Sequence, residues 1–80
     1  MASFSKVIHY LELYLDMHPG DSSVMFSLAA LYVKEDRFEQ SRGILLDILT
    51  LDPGNEDAAN LLEEVDHNLA QIEQVGVQIP

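Results

Sequence analysis

Residues 18–55, HPGDSSVMFSLAALYVKEDRFEQSRGILLDILTLDPGN, decide the fold because the same chain break stands at both ends. Pro19-Gly20 returns 34 residues later as Pro53-Gly54. Proline ends a helix because it lacks the backbone donor and its ring clashes with the preceding turn. Apolar residues recur at the same offset, pairing Phe4 with Phe38, Leu11 with Leu45, Leu15 with Leu49, Met17 with Leu51 and Leu28 with Leu62. Breakers and core positions that repeat in step indicate a helical repeat array.

The composition describes one small acidic domain, residues 1–80. The chain has 4 Lys or Arg against 14 Asp or Glu, a net charge of −10, 48% hydrophobic residues and no Cys. A core of this size supplies only about 3–5 kcal/mol, and no disulfide can add to it. The acidic excess repels phosphate groups and anionic lipids, so we expect neither a nucleic-acid nor a membrane partner. Proteins or peptides are the favoured partners.

The first 20 residues predict neither a signal peptide nor a membrane span. Glu12 and Asp16 interrupt the apolar positions, so no continuous apolar run is long enough for either. We therefore expect a soluble, cytoplasmic protein.

Local signals predict an all-α fold of about four helices. The first is expected over residues 4–17, with Ser3 as a candidate N-cap and an apolar face at three-and-four spacing. The second begins after Asp21 or Ser22, whose side chains can accept a bond from the first turn, and ends near Lys34. The first helix has one apolar face, whereas the second is apolar nearly all round and is therefore expected to be buried on more than one side.

The third and fourth helices follow the same logic. Residues 36–39, DRFE, have the pattern of a capping box, in which the Asp side chain accepts from the first turn and the Glu reaches back. The third helix then runs to Leu51. Asn55 caps the fourth helix, residues 56–73, and its apolar face is Ala58, Leu61, Leu62, Val65, Leu69 and Ile72. Beta-branched residues around a Gly predict fraying into a tail at 74–80.

Two helices per 34 residues, followed by proline, resemble a tetratricopeptide repeat, and residues 22–53 match one full unit. The family pattern is carried by Met25, Leu28, Ala29, Tyr32, Phe38, Glu39, Ser41, Leu45, Ile48 and Leu51. Ala29 and Ser41 are small, which lets the paired helices approach closely. Three positions depart from the family: Met25 replaces Trp, Asp36 replaces the Gly of the turn, and Ile48 replaces a small residue.

The resemblance continues outward in half repeats. Residues 4–19 resemble the second helix of a preceding repeat, and residues 56–73 resemble a following first helix or a capping helix. Helix pairs of this kind bury their faces only against neighbours, so about three repeats are normally needed for stability. The chain is therefore expected to be a terminal fragment of a larger repeat protein or a self-associating helical module.

The resemblance also implies a binding groove lined by the first helices of successive repeats. By position the lining is Ser23, Phe26, Ala30, Val33 and Lys34 on one wall, with Asp57, Asn60, Glu64, His67 and Asn68 on the other. One wall is apolar and the other is polar and acidic, which suits a basic or mixed apolar-basic peptide. The sequence leaves three alternatives for what covers the apolar wall: a peptide or partner protein, a second copy of the chain, or the apolar tail residues Val75, Val77 and Ile79.

These patterns predict a non-catalytic protein-interaction or scaffold module. The alternative is self-association, with a homodimer formed through Val7, Leu11 and Tyr14 or through an opposite stripe of the first helix. Lys34 and Asn60 alone do not make the carboxylate clamp that some family members use for chaperone tails. His9, His18 and His67 lack metal-ligand spacing, and we expect no enzyme activity, cofactor or metal. We interpret Tyr10, Tyr14 and Tyr32 as packing residues.

Overall fold

A computed structural model of the chain describes residues 3–78, with side chains described as far as Ile72. It contains four α-helices, which are α1 (Ser5–Met17), α2 (Ser22–Lys34), α3 (Phe38–Leu51) and α4 (Glu56–Gln78). Each helix packs on the next, and α4 also contacts α2. Short turns reverse the chain between helices, so consecutive helices form antiparallel pairs. The predicted all-α architecture of four helices is confirmed.

The two Pro-Gly turns are built alike. In the first, the amide of Asp21 donates to the carbonyl of His18 at 3.1 Å, and in the second Asn55 donates to Asp52 at 3.1 Å. The Asp21 carboxylate then accepts from the amide of Val24 at 3.2 Å, and the Asn55 side chain accepts from Ala58 at 3.0 Å. Both predicted caps are confirmed, because an acceptor three residues before a helical amide needs only local geometry.

The predicted capping box before α3 is wrong. The residue at the N-cap is Arg37, and no side chain caps the helix. Asp36 instead has a φ of 58°, in the left-handed region that glycine favours. This conformation brings the amide of Arg37 within 2.8 Å of the carbonyl of Tyr32, which closes the turn between α2 and α3. Asp36 thus takes the backbone role of the Gly it replaces.

The outer ends of α1 and α4 also differ from expectation. Ser3 does not cap α1: Phe4 occupies the N-cap without a side-chain bond, and the Ser3 hydroxyl accepts from the amide of Ser5 at 3.3 Å. The amide of Phe4 donates to the Glu35 carboxylate at 2.9 Å, which ties the start of α1 to the turn after α2. The backbone of α4 remains helical to Gln78, where fraying beyond residue 73 was predicted.

The core divides into two clusters that meet on α2. The larger lies between α2, α3 and α4, and consists of Met25, Ala29, Leu45, Ile48, Ala58 and Val65. The smaller lies between α1 and α2, and consists of Ile8, Leu28 and Tyr32. Leu15 of α1 and Ile44 of α3 pack against both clusters. α2 is therefore the central helix, which explains why its sequence is apolar on most sides.

Candidate functional site

The predicted apolar wall lies on α2 and is only partly exposed. Phe26, Ala30 and Val33 are half-buried, and the Phe26 and Val33 side chains pack against the larger core cluster. Ser23 and Lys34 are exposed near the two ends of the helix. The wall therefore offers the edges of apolar side chains to solvent while their bodies support the core.

The predicted polar wall lies on α4. The side chains of Asp57, Asn60, Glu64 and His67 are exposed, while Asn68 is half-buried and donates from its side-chain amide to the backbone carbonyl of Glu64 at 3.0 Å. Residues 56–78 contain six Asp or Glu and no Lys or Arg, against 14 acidic residues in the whole chain. This helix therefore carries a net charge of −6 of the chain's −10.

The two walls meet at one end of the predicted groove. Ser23 and Phe26 line a shallow depression of about 240 Å³ together with Asp57, and Ser22 and Asn55 complete its rim. The depression lies at the starts of α2 and α4, where both helices follow equivalent turns. The half-buried Phe26 thus lines the same depression as the exposed carboxylate of Asp57.

The remaining groove residues divide differently. Asn60, Glu64 and His67 line a second shallow depression with Glu63 on α4. Ala30, Val33 and Lys34 line neither depression. The tail residues Val75, Val77 and Ile79, one of the predicted covers, lie outside the residues whose side chains the structure describes.

Tyr32 anchors a polar cluster between α1, α2 and the following turn. Its ring is 4% exposed, its hydroxyl donates to the Glu12 carboxylate, and the Arg37 guanidinium carbon lies 4.7 Å from the ring centroid. Burial and the bond to Glu12 raise the pKa of Tyr32 to about 12. Tyr32 is buried in the smaller core cluster, which confirms its predicted packing role.

The other two tyrosines, for which a packing role was predicted, are not buried. Tyr10 is 68% exposed and Tyr14 is 41% exposed. The Tyr14 hydroxyl donates to the second carboxylate oxygen of Asp21 at 2.9 Å, and this bond raises the pKa of Tyr14 above its ordinary value. Tyr14 thus connects α1 to the cap of α2 from the surface.

The outer side of α1 forms a second candidate surface, which we name the α1 outer face and define as Val7, Tyr10, Leu13, Tyr14 and Met17. Their exposed fractions are 47%, 68%, 49%, 41% and 80%. Sequence reasoning named Val7, Leu11 and Tyr14, or an opposite stripe of the helix without naming its residues, for self-association; Leu11 is half-buried against the smaller core cluster, and Tyr10, Leu13 and Met17 were not named. The available signal was the width of the apolar arc on α1, which exceeds what one neighbouring helix can cover.

Within residues 3–78, no helix combines the length and apolar character needed to cross a membrane. Among the described side chains, no group of three or more His, Asp or Glu is placed to hold a metal ion.

Comparison with known families gives a match over most of the chain. The family model described as "Tetratricopeptide repeat" matches residues 3–65. The match covers α1, α2, α3 and the first half of α4, and so includes both Pro-Gly turns. Neither the curated proteins nor the solved structures contained a match.

Proposed function

Because the chain belongs to the tetratricopeptide repeat family, we propose that it is a non-catalytic module that binds a basic or mixed apolar-basic peptide between α2 and α4. Repeats of this family generally mediate protein-protein interaction or scaffolding, and they are typically non-catalytic. The proposed binding residues are Ser23, Phe26, Ala30, Val33, Lys34, Asn60, Glu64 and His67. The predicted cytoplasmic location stays a prediction.

The juxtaposition of Phe26 and Asp57 carries this proposal. An exposed aromatic edge accepts an apolar side chain of a peptide, and a neighbouring carboxylate attracts a Lys or Arg beside it. Glu64 extends the acidic rim along α4. A peptide that alternates Leu with Lys satisfies both features, whereas an acidic peptide is repelled by the −10 net charge.

A rigid helix stack also supports binding without rearrangement. α2 is held by core clusters on two sides, so its exposed edges are fixed before a ligand arrives. A preformed surface lowers the ordering entropy that binding must overcome. Helix-in-groove and extended-peptide recognition both use surfaces of this kind.

The test uses a fluorescent amphipathic peptide of Leu and Lys, and a matched peptide in which every Lys is replaced by Glu. We expect anisotropy to detect the Lys peptide alone, with affinity that weakens as salt rises. The double variant Asp57→Lys, Glu64→Lys is expected to weaken binding at least tenfold. Equal binding of both peptides would contradict the proposal.

A matched control separates a local effect from the change in net charge. Asp47 and Glu39 are exposed on α3, which supplies none of the proposed binding residues, and neither lines the depressions that hold Asp57 and Glu64. The variant Asp47→Lys, Glu39→Lys makes the same charge change on another helix and is expected to retain most of the affinity. If both double variants lose affinity alike, the peptide senses only the overall charge and the site assignment is wrong.

A further inference from the structure

The outer face of α1 lacks a helix partner within the described chain, and the internal repeat shows what is missing. Each residue of α1 has a counterpart 34 positions later in α3. On α3, the residues that lie in the core beside α2 are all 0% exposed: Ser41, Leu45 and Ile48. Their α1 counterparts are Val7 at 47%, Leu11, half-buried, and Tyr14 at 41%. The face that joins α3 to α2 is thus open on α1.

The open surface is continuous and mostly apolar, and the exposed Lys6 lies on the same side near its N-terminal end. Tyr10, Leu13 and Met17 adjoin Val7 and Tyr14 on the same side of the helix, so all five members of the α1 outer face share one stripe. Two tyrosines and three aliphatic side chains at these exposures present on the order of 500 Å² of mostly apolar surface. A stripe of this size marks an interaction surface rather than scattered exposure.

The opposite end of the stack is finished differently. Three residues of α2 are buried: Met25, Ala29 and Tyr32. The residues 34 positions later, on α4, are all exposed: Ala59, Glu63 and Asp66. Glu63 stands where Ala29 permits the close approach of α3. A helix packed there would have to bury carboxylates, so α4 is a polar cap. Copies of the chain therefore do not continue head to tail through α4.

We infer that the α1 outer face binds the same face of a second copy, related by a two-fold axis. A mostly apolar stripe fits another such stripe, and two copies of one face are self-complementary when the helices run antiparallel. Lys6 and Asp16 lie near opposite ends of α1, about 15 Å apart along the helix axis. In the antiparallel pair, Lys6 of each copy comes beside Asp16 of the other.

The charge distribution favours this occupant over a basic partner. Residues 5–17 carry one Lys and two acidic residues, whereas residues 56–78 carry six acidic residues and no Lys or Arg. A basic partner is drawn to α4, while pairing through α1 keeps the two acidic helices on the far sides of the dimer. Because each copy still carries −10, the mutual repulsion is long-range and screened by salt. The dimer is therefore expected to strengthen as salt rises, opposite to the peptide site.

The buried area is that of a weak interface. Two such faces together bury on the order of 1,000 Å², at the low end for specific interfaces and in the range of weak or transient complexes. We therefore expect a dissociation constant on the order of 1–100 μM.

The test is sedimentation velocity of the full chain from about 1 to 300 μM. We expect a monomer that converts to a dimer and to nothing larger. The variant Tyr10→Gln, Leu13→Gln removes the centre of the face without changing charge and is expected to raise the dissociation constant at least tenfold at unchanged helicity. The matched control Leu51→Gln, Ile72→Gln alters side chains 59% and 56% exposed on α3 and α4, and is expected to leave dimerisation unchanged.

Charge reversal tests the two-fold arrangement. Lys6→Asp is expected to weaken the dimer, and adding Asp16→Lys is expected to restore it, because the swapped pair meets again across the axis. A monomer throughout, species larger than a dimer, an unaltered Gln variant, or a swap that fails to restore would each overturn the inference. Peptide binding by the Tyr10→Gln, Leu13→Gln variant is expected to persist, so failure of either proposal is distinguishable from failure of the other.

Discussion

The Ser41 hydroxyl donates a 2.9 Å hydrogen bond to the backbone carbonyl of Ala29, and both residues are 0% exposed. This contact joins α3 to α2 at the point where two small side chains let the helices approach. Only a short hydroxyl can fill that space and find an acceptor, so the bond ties the family's small-residue positions to a specific interaction.

Replacing Ser41 by Ala is expected to lower the free energy of unfolding by about 0.5–1.5 kcal/mol, the usual net worth of a buried hydrogen bond. Urea unfolding followed by circular dichroism measures it. Thr50→Ala is the control, because the Thr50 hydroxyl makes a similar 2.9 Å bond to the Leu46 carbonyl but is exposed. If the two variants lose stability equally, the interhelical bond contributes nothing of its own.

We expect the protein to lose stability in alkali because of the raised pKa of Tyr32. Its pKa is about 12 in the folded chain against an ordinary value of 10.0, so the unfolded chain loses this proton first. Stability from this group is complete below pH 10 and is lost as pH rises from about 10 to 12, by up to about 2–3 kcal/mol. Tyr32→Phe lacks this step, so its unfolding free energy should fall less over that range. Parallel pH profiles for both proteins would refute the assignment.

We expect that replacing Asp36 by Gly stabilises the protein. A non-glycine residue at a φ of 58° is strained by its Cβ, so Asp36→Gly is expected to raise the free energy of unfolding by up to about 1 kcal/mol. Asp36→Val is expected to lower it, because a branched Cβ tolerates this conformation least. Thermal unfolding of the two variants gives their order of stability. A Val variant as stable as the Gly variant would show that the turn has moved to another conformation.

The Arg42–Asp66 ion pair is expected to contribute little. Its atoms are 2.9 Å apart, but the side chains are 48% and 49% exposed, and exposed pairs are typically worth less than about 1 kcal/mol. Arg42→Gln and Asp66→Asn should each change the free energy of unfolding by less than about 0.5 kcal/mol. A double-mutant cycle measures the coupling, and a value above about 1 kcal/mol would mean that α4 depends on this pair.

Much of the fold was accessible from the residues because its signals are local. Asn55 was predicted as a cap, and Asp21 as one of two candidates with Ser22; the bonds to Ala58 and Val24 confirm Asn55 and select Asp21. The turn before α3 was not accessible in the same way. An Asp followed by Glu three residues later fits a capping box as well as a left-handed turn, and only the bond from Arg37 to Tyr32 selects the second.

The candidate surfaces were likewise predictable only in part from the sequence. The position of Phe26 on α2 was predicted from the repeat, but its nearness to Asp57 depends on how α2 and α4 pack. On α1, the apolar arc was visible in the sequence, yet Ile8 is 2% exposed and Tyr10 is 68% exposed. Periodicity states that a helix has an apolar side without stating which part of that side has a neighbour.

The sequence by itself determined the helices, their breaks and the 34-residue period, because helix propensity, proline geometry and capping act within a few residues. Only the tertiary structure decided which faces are covered. Coverage depends on contacts between residues far apart in the chain, and those contacts leave exposed carboxylates along α4 and exposed apolar side chains along α1.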